Sequence, residues 1–578
     1  MAFATDYRHI GIGFLAVVST AVLLWFGNGL APWWPLMWFA PLPVLLFALR
    51  TSWWGAAWAA FLSSLIGSLS MWQYFRAALQ APPTMWMGIY SAVALVFTLA
   101  VLLFRALLLR GAPWSALLAF PATWVSCENI GNLTTSNGTA GSLSYSQLNF
   151  LPFLQLASVT GPWGMSFLLL LFSAALAIGL YLRHIAPKQA LRIVGASLVV
   201  VALVLIFGAV RLAQPSPRQQ VKVGLVTSDE PAHVDVAAEG ADTERLFRAY
   251  AGEVEKLAAA GSQVIVLPEK LGAVEDANTK PTDAIFQSLA DKTGSTIVVG
   301  LVHVSSLLPP RLVKYNQARV YAPRAPVLSY NKHHLLPPFE SGLEPGTTLL
   351  LLPEPTQSWG VAICKDMDFT PLSRQYGEAG AALMLVPAWD FAVDRVWHGH
   401  MAVMRGVEDG FSIARAAKGG SLTVSDDRGR MIAETRSDSA PFAMLVAKVR
   451  ALHDATLYLL LGDWFAWITL ATLFFTLAQL YRSRNSRTYQ SKAAQDHADH
   501  VGSSPPKERT DSVRKKAIPW KSGIGMVGCV VAYLVPLILL IVILVKVNRI
   551  AKVQDRSGPV PPLLQITPFS VTLISVRT

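Results

Sequence analysis

Charged residues are scarce in this chain and hydrophobic residues are abundant. Of the 578 residues, 15% are charged and 53% are hydrophobic. Soluble globular domains carry about 25% charged residues. The composition therefore excludes an ordinary soluble protein and indicates a membrane protein, with enough length for more than one domain.

Cysteine is also rare, and the positions of the three cysteines exclude two common kinds of site. Cys127, Cys364 and Cys529 form no CxxC pair and no cluster with histidine, so the sequence predicts neither a disulfide framework nor a zinc site. The sequence also lacks GxSxG and HExxH, the signatures of serine hydrolases and zinc proteases. Cys364 is thus free to act as a thiol, and we expect no metal and no cofactor.

The net charge of +12 is distributed in a way that argues against a nucleic-acid-binding face. Between Arg482 and Gly523 there are ten Lys and Arg residues against four Asp and Glu residues, which accounts for half of the net charge. Most of the other basic residues flank apolar runs. Because this placement is typical of membrane topology, we predict contact with a membrane and none with nucleic acid.

Long apolar runs divide the chain into segments. A helix that spans a bilayer needs about 20 mostly apolar residues. The runs predict a bundle of seven spans in 1–217, an eighth span in 451–482, and a possible ninth span with a tail in 524–578. They lie at about 10–27, 34–49, 53–74, 86–109, 113–127, 152–182, 192–213, 456–481 and 524–545. The polar composition of 483–523 predicts a disordered basic linker.

Basic residues follow every second span of the predicted bundle. Spans two, four and six are followed by Arg50, by Arg105 and Arg110, and by Arg183, Lys188 and Arg192, whereas the loop after span five contains none. Cytoplasmic loops carry an excess of Lys and Arg. We therefore expect the N-terminus in the cytoplasm and residues 218–450 on the opposite side of the membrane.

Residues 218–450 differ in pattern from the apolar spans. Short runs rich in β-branched residues alternate with helical stretches such as 243–261 and 283–294. The runs are VKVGLV (221–226), QVIVLPE (263–269), STIVVGLVHV (295–304), ARVYAP (318–323), VAIC (361–364) and ALMLVPA (382–388). Strands that alternate with helices predict an α/β domain large enough to have its own core.

Three chemically active residues lie at or just after predicted strands of this domain. Glu269 closes QVIVLPE, Lys332 lies in YNKHHLLPPFE, and Cys364 closes VAIC. Taken alone, each has an ordinary structural role, as a helix cap, a solvated charge or a small core residue. Together they form a sufficient set, because a carboxylate can take the thiol proton and an ammonium can stabilise the thiolate and an oxyanion.

The order LPE, NKHHLLPPFE and AIC resembles the Glu-Lys-Cys triad of the nitrilase (carbon–nitrogen hydrolase) superfamily. With eight spans around such a domain, the chain resembles the membrane branch of that superfamily, the bacterial apolipoprotein N-acyltransferases, over residues 1 to 481. GPWGMSFLLL (161–170) and PAWDF (387–391) agree with this resemblance. It implies a multi-span α-helical membrane domain plus an α/β nitrilase-like domain with four α-β-β-α layers.

The resemblance also implies a role for each matched residue. Glu269 would be the general base, Lys332 the oxyanion stabiliser and Cys364 the nucleophile, while Glu340 would support the site and the backbone N–H of Lys365 would donate to the oxyanion. The acyl chain of a phospholipid would pass through a cysteine thioester to the N-terminal amine of a lipoprotein. The enzyme would be a monomer in the bacterial inner membrane with its catalytic domain in the periplasm.

Two features leave alternatives open. Lys365 and Asp366 stand where the family usually has Tyr-Glu, and the first strand continues as GLVTSDEP where Gln and Asn are usual. These positions bear on substrate contacts more than on the triad. Beside the acyltransferase we therefore keep a membrane-tethered hydrolase that uses water as acceptor, and a non-catalytic membrane protein that uses the same fold for binding.

Overall fold

The computed structural model describes residues 2–214, 220–230, 241–308, 311–353 and 358–500. The candidate ninth span at 524–545 lies outside these residues. The described part of the chain before residue 215 is helical. Its helices are α1 (Ala2–Gly27), α2 (Trp34–Met37), α3 (Leu42–Ala48), α4 (Trp53–Ser68), α5 (Pro83–Leu108), α6 (Pro113–Thr134), α7 (Leu151–Leu154), α8 (Ala157–Leu182) and α9 (Pro187–Ala213).

Five of the seven candidate spans in this region coincide with helices long and apolar enough to cross a membrane. The other two differ from simple spans. The run at 34–49 is divided into α2 and α3, because Pro41 and Pro43 interrupt helix hydrogen bonding. Helix α6 contains Pro121 and ends in polar residues, which lowers its hydropathy.

The second half of the described chain contains two β-sheets. The strands are β1 (Gln220–Thr227), β2 (Val264–Val266), β3 (Ala273–Glu275), β4 (Thr296–Leu308), β5 (Arg311–Tyr321), β6 (Leu328–Asn331), β7 (Leu350–Leu352), β8 (Ser358–Val361), β9 (Ala381–Trp389), β10 (Ser412–Lys418), β11 (Ser421–Ser425), β12 (Met431–Arg436) and β13 (Ala443–Arg450). One sheet has the order β13-β1-β2-β4-β5-β6 with β3 beside β4, and the other has the order β12-β11-β10-β9-β8-β7.

Helices cover both outer faces of the paired sheets. α10 (Ala241–Ala259) and α11 (Thr279–Thr293) pack on the first sheet, while α12 (Thr370–Glu378) and α13 (Trp397–Asp409) pack on the second. The apolar core between the sheets includes Val264, Val361 and Leu385. Because β9 is buried on both faces, its sequence is almost continuously apolar. The predicted α-β-β-α arrangement beside a helical membrane domain is confirmed.

The chain returns to the helical domain through α14 (Leu457–Leu461) and α15 (Trp464–His500). The apolar part of α15, Trp464–Arg482, is long enough to cross a membrane. Helix α15 continues over 483–500, the first part of the segment predicted as a disordered linker. A helix extends readily once it is nucleated, and the sequence has neither Gly nor Pro between residues 464 and 500. The rest of the predicted linker lies outside the described residues.

The helical and α/β domains are joined by buried polar contacts. Asp463 accepts hydrogen bonds from the Trp163 indole at 2.7 Å and the Tyr458 hydroxyl at 2.6 Å, and it forms an ion pair with Arg374 at 3.2 Å. Gly161, in α8, has φ 62°, and a Cβ there would lie 2.4 Å from the Tyr458 ring. These contacts unite α8, α12 and α14, so the two domains are packed as one body at this point.

Candidate active site

The side chains of the candidate site come from the ends of strands in both sheets. Glu269 follows β2, Lys332 follows β6, and Cys364 follows β8. In sheets built from parallel strands, the loops after the strands meet at one edge, where sites commonly form. The two-sheet packing brings these loops together although they are far apart in the chain.

Lys332 is held between two carboxylates. Its Nζ lies 2.8 Å from Glu269 Oε1, 2.9 Å from Glu340 Oε2 and 3.2 Å from Glu340 Oε1. The Asn316 amide donates to both carboxylates, at 2.5 Å to Glu269 and 2.6 Å to Glu340. The Lys270 Nζ adds a further contact to Glu340 at 2.8 Å. All of these carboxylate and ammonium groups except that of Lys270 are nearly inaccessible to solvent.

The opposite charges of this cluster stabilise one another. Burial by itself lowers the pKa of Lys332, but Glu269 and Glu340 raise that pKa well above its ordinary value. Burial alone would raise the pKa of Glu340, yet Lys332 and Lys270 lower it to about 2. The lowered pKa means that Glu340 adds stability at pH values above its ordinary pKa, and that this contribution is lost as the pH falls towards 2.

Cys364 begins a tight turn. The turn, Cys364–Asp368, is a single 3₁₀ segment, and Cys364 has φ 45°, a left-handed conformation that non-glycine residues adopt at an energetic cost. The thiol is partly exposed and lies 3.6 Å from the carbonyl oxygen of Trp389. Burial and the Glu269 carboxylate raise the pKa of Cys364, whereas Lys332 acts in the opposite direction. The resting thiol is therefore protonated and needs a base when it attacks.

Asp366 ties the turn of Cys364 to the loop of Lys332. Its carboxylate accepts hydrogen bonds from the Ile363 N–H at 3.1 Å, the Tyr330 hydroxyl at 2.8 Å and the His334 N–H at 2.8 Å. Tyr330 and His334 stand on either side of Lys332. Asp366 thus sets the position of the ammonium relative to the thiol, a role that the sequence alone did not reveal.

The Lys365 side chain has a structural partner. Its Nζ lies 3.2 Å from Asp368 Oδ2 and 5.7 Å from the centre of the Phe369 ring. Lys365 is buried. Its ammonium therefore belongs to the packing of the turn.

A buried ion pair that the sequence alone did not reveal lies beside Cys364. Arg415, on β10, lies 2.7 Å and 2.5 Å from the two carboxylate oxygens of Asp390, directly after the residue that contacts the thiol. Both charges influence the pKa of Cys364, in opposite directions. The sequence motif PAWDF contains Asp390. Its partner Arg415 lies on β10, so the ion pair becomes apparent only when β9 and β10 pair in the sheet.

Residues of the helical domain also reach this site. Tyr74 lies between α4 and α5, and its ring packs 6.0 Å from Trp397 and 6.1 Å from His398. Burial, followed by the charges of Asp394, Asp368 and Cys364, raises the pKa of Tyr74. His398 pairs with Asp394 at 2.7 Å, and although burial opposes it, this carboxylate raises the pKa of His398 to about 9. Within the described residues, no cluster suited to a metal ion is found.

Two family models match the chain. The model of the apolipoprotein N-acyltransferase N-terminal domain matches residues 20–175, and the carbon–nitrogen hydrolase model matches residues 209–439. The second match contains all the candidate catalytic residues, and the first lies in the helical domain.

The chain is similar to curated proteins that share one name. The apolipoprotein N-acyltransferase of Geobacter metallireducens is 27% identical over 398 residues, which cover 64% of this chain and 75% of that protein. The protein of the same name from Gloeobacter violaceus is 24% identical over 496 residues, which cover 79% of this chain and 92% of that protein. Among solved structures, an amidase of the nitrilase superfamily from Nesterenkonia is 21% identical, with a TM-score of 0.34, and covers 43% of this chain and 96% of its own.

We predict that Asp366 matters more than Lys365 for the reaction of Cys364. Asp366→Ala leaves buried donors on both loops unpaired, so the rate at which an activated ester acylates Cys364 should fall about 100-fold. Lys365→Ala should change this rate by no more than about threefold, because its Nζ pairs with Asp368 at the other end of the turn from Cys364. Mass spectrometry of the acylated protein gives both rates. Equal losses in the two variants would contradict the positioning role.

We also predict that removing the Glu269 charge makes the resting thiol more reactive. Because the carboxylate raises the pKa of Cys364, Glu269→Gln should increase the thiolate fraction and speed alkylation by iodoacetamide at pH 8 by at least about threefold. Lys332→Met should slow it. Cys364→Ala supplies the background from the other cysteines. Unchanged alkylation in Glu269→Gln would show that the carboxylate does not act on the thiol, and slower alkylation would contradict the charge effect and show that Glu269 acts on this thiol as a base.

Proposed function

Because the chain belongs to the apolipoprotein N-acyltransferases, the membrane branch of the nitrilase superfamily, we propose that Glu269, Lys332 and Cys364 transfer an acyl chain from a phospholipid to the N-terminal amine of a lipoprotein. The observation that carries this proposal is the buried cluster of Lys332, Glu269 and Glu340 beside Cys364. It provides a base, a fixed positive charge and a thiol at one point of a domain that is joined to membrane helices.

The first half-reaction forms a thioester. The thiol of Cys364 attacks the ester carbonyl of the phospholipid, and Glu269 takes the thiol proton. Lys332 and the Lys365 N–H stabilise the tetrahedral oxyanion. When the intermediate collapses, the carbon–oxygen bond of the ester breaks, and the departing lysophospholipid oxygen receives the proton from Glu269. The acyl chain then remains on sulfur.

The second half-reaction forms the amide. The α-amine of the lipoprotein attacks the thioester carbonyl, and Glu269 takes a proton from the amine. The same two donors stabilise the second oxyanion. The carbon–sulfur bond then breaks, and Cys364 regains a proton from Glu269. Throughout the cycle Glu340 balances the charge of Lys332, which lets Glu269 change its protonation without leaving a buried ammonium unpaired.

The membrane helices support the proposal that the substrates are a phospholipid and a lipoprotein. Donor and acceptor both carry acyl chains, and six helices of the described chain are apolar and long enough to cross a bilayer. A tethered hydrolase would need only one. From the distribution of basic residues we propose that the protein lies in the bacterial inner membrane with residues 218–450 in the periplasm. The proposed reaction needs no second copy of the chain, and we propose a monomer.

The acyl-enzyme gives a direct test. With a phospholipid and no acceptor, the purified protein should accumulate one acyl chain per molecule on Cys364, released by hydroxylamine, and a lipoprotein amine should then discharge it with ping-pong kinetics. Cys364→Ala should form no adduct, and Lys332→Ala should slow its formation by about 10²–10³. Intact-protein mass spectrometry follows the adduct. Rapid discharge by water alone would instead favour the hydrolase.

The orientation has its own test. In a background without native cysteines, single cysteines introduced at Lys188 and at the exposed Glu244 are treated with an impermeant thiol reagent in intact cells. Because basic loops stay in the cytoplasm, the cysteine at 244 should be labelled and the one at 188 only after lysis. The reverse pattern would contradict the periplasmic placement of the catalytic domain.

A further inference from the structure

The helical domain contains a cavity of about 450 Å³ that is separate from the site described above. Helices α1, α4, α5, α6 and α8 and the residues between α6 and α8 form its wall, and none of Glu269, Lys332 and Cys364 lines it. Its volume falls in the range of small-molecule sites in proteins. The side chains that line the cavity indicate which kind of molecule it can bind.

One buried side chain of this cavity has no partner. Asn132, on α6, is 6% exposed, and in the part of the chain that the structure describes neither its Nδ2 nor its Oδ1 makes a hydrogen bond. A buried amide without partners costs free energy, and such groups in proteins usually meet a ligand or another polar group. Asn132 thus offers one donor group and one acceptor to whatever occupies the cavity.

The other residues that line the cavity indicate the charge and the shape of a molecule that could bind there. Glu128 faces the cavity, where its carboxylate already accepts the Trp124 indole N–H at 2.8 Å and the Leu143 N–H at 2.9 Å. Among the described residues that line the cavity, none is Lys, Arg or His. An anionic group would meet Glu128 with no compensating cation. Leu24, Ile89, Val93, Val96 and Phe97 provide an apolar wall.

From this combination we infer that the cavity is a second lipid site, for a single-chain amphiphile whose uncharged head both donates and accepts hydrogen bonds. Hydroxyl and amide heads have this chemistry. The head pairs with Asn132, and the chain lies along the wall formed by α1, α4 and α5. Phosphate heads are excluded by the lack of a cation in the lining, so this site differs from one that holds the phosphate of a phospholipid.

The occupant would also support the turn of the nucleophile. Asn137, Gly138 and Thr139 line the cavity, and Thr139 donates its N–H and its hydroxyl to the Asp368 carbonyl at 3.0 Å and 2.8 Å. Gly138 lies so close that a Cβ would be 2.4 Å from the same oxygen. A molecule packed against this segment stabilises the end of the turn that Cys364 begins. The inference does not depend on the proposed acyl transfer.

The test uses the full chain with Cys364→Ala, so that no acyl group can be held as a thioester. After delipidation in detergent, the protein is given 1-monomyristoylglycerol, or a lysophosphatidic acid with the same chain as an anionic comparison. We expect native mass spectrometry to show one monoacylglycerol per protein and the midpoint of thermal unfolding to rise with its concentration. The anionic lipid should bind at least about tenfold more weakly.

Asn129 provides the matched control. It lies on the same helix, is 3% exposed and has an Oδ1 without a partner among the described residues, but it does not line the cavity. Asn132→Leu should weaken monoacylglycerol binding about tenfold, whereas Asn129→Leu should leave it unchanged. Without lipid, Asn132→Leu should not unfold at a lower temperature, because it replaces an amide that has no hydrogen-bond partner among the described residues with an apolar group.

Three results would overturn the inference. The first is no retained monoacylglycerol in the Cys364→Ala protein. The second is equal binding by the Asn132→Leu and Asn129→Leu variants, both folded by their thermal transitions. The third is binding of the lysophosphatidic acid as tight as that of the monoacylglycerol, which would contradict the charge argument. None of these results bears on whether Cys364 forms an acyl-enzyme.

Discussion

The buried ammonium of Lys332 is the constraint on which the rest of the site depends. An isolated charge in a protein interior is very costly, and the cost is offset only by partners in close and well-directed contact. Glu269 and Glu340 supply those partners, and Asn316 orients both carboxylates. Glu269, Asn316 and Glu340 belong to three different segments of the chain, so the fold must hold these segments in register for the charge to remain buried.

Asp366 connects the two segments that carry the ammonium and the thiol. These two groups come from different sheets, and the proposed reaction would lose much of its rate if their geometry loosened. By accepting hydrogen bonds from both sides of the Lys332 loop and from the strand before Cys364, Asp366 couples the two. Its neighbour Lys365 stabilises the turn from the other end through Asp368.

The helical domain takes part in the site as well as anchoring it. Tyr74 packs beside His398, and the segment around Thr139 is bonded to the last residue of the nucleophile turn. Contacts through Asp463 fix the two domains against each other. The position of the thiol relative to the membrane helices is therefore set by packing and buried polar bonds, which suits chemistry on substrates that lie partly in a bilayer.

The sequence by itself determined the membrane class, the α/β domain and the order of Glu269, Lys332 and Cys364, because composition, periodicity and motif spacing are local properties of the chain. It predicted a disordered linker after residue 482, and the polar composition there did not indicate that α15 continues to residue 500. It did not reveal short strands such as β3 and β7, whose hydrogen bonds depend on neighbours far along the chain. Only the tertiary structure paired Arg415 with Asp390 and gave Asp366 its partners, since these contacts join segments that meet only when the two sheets pack.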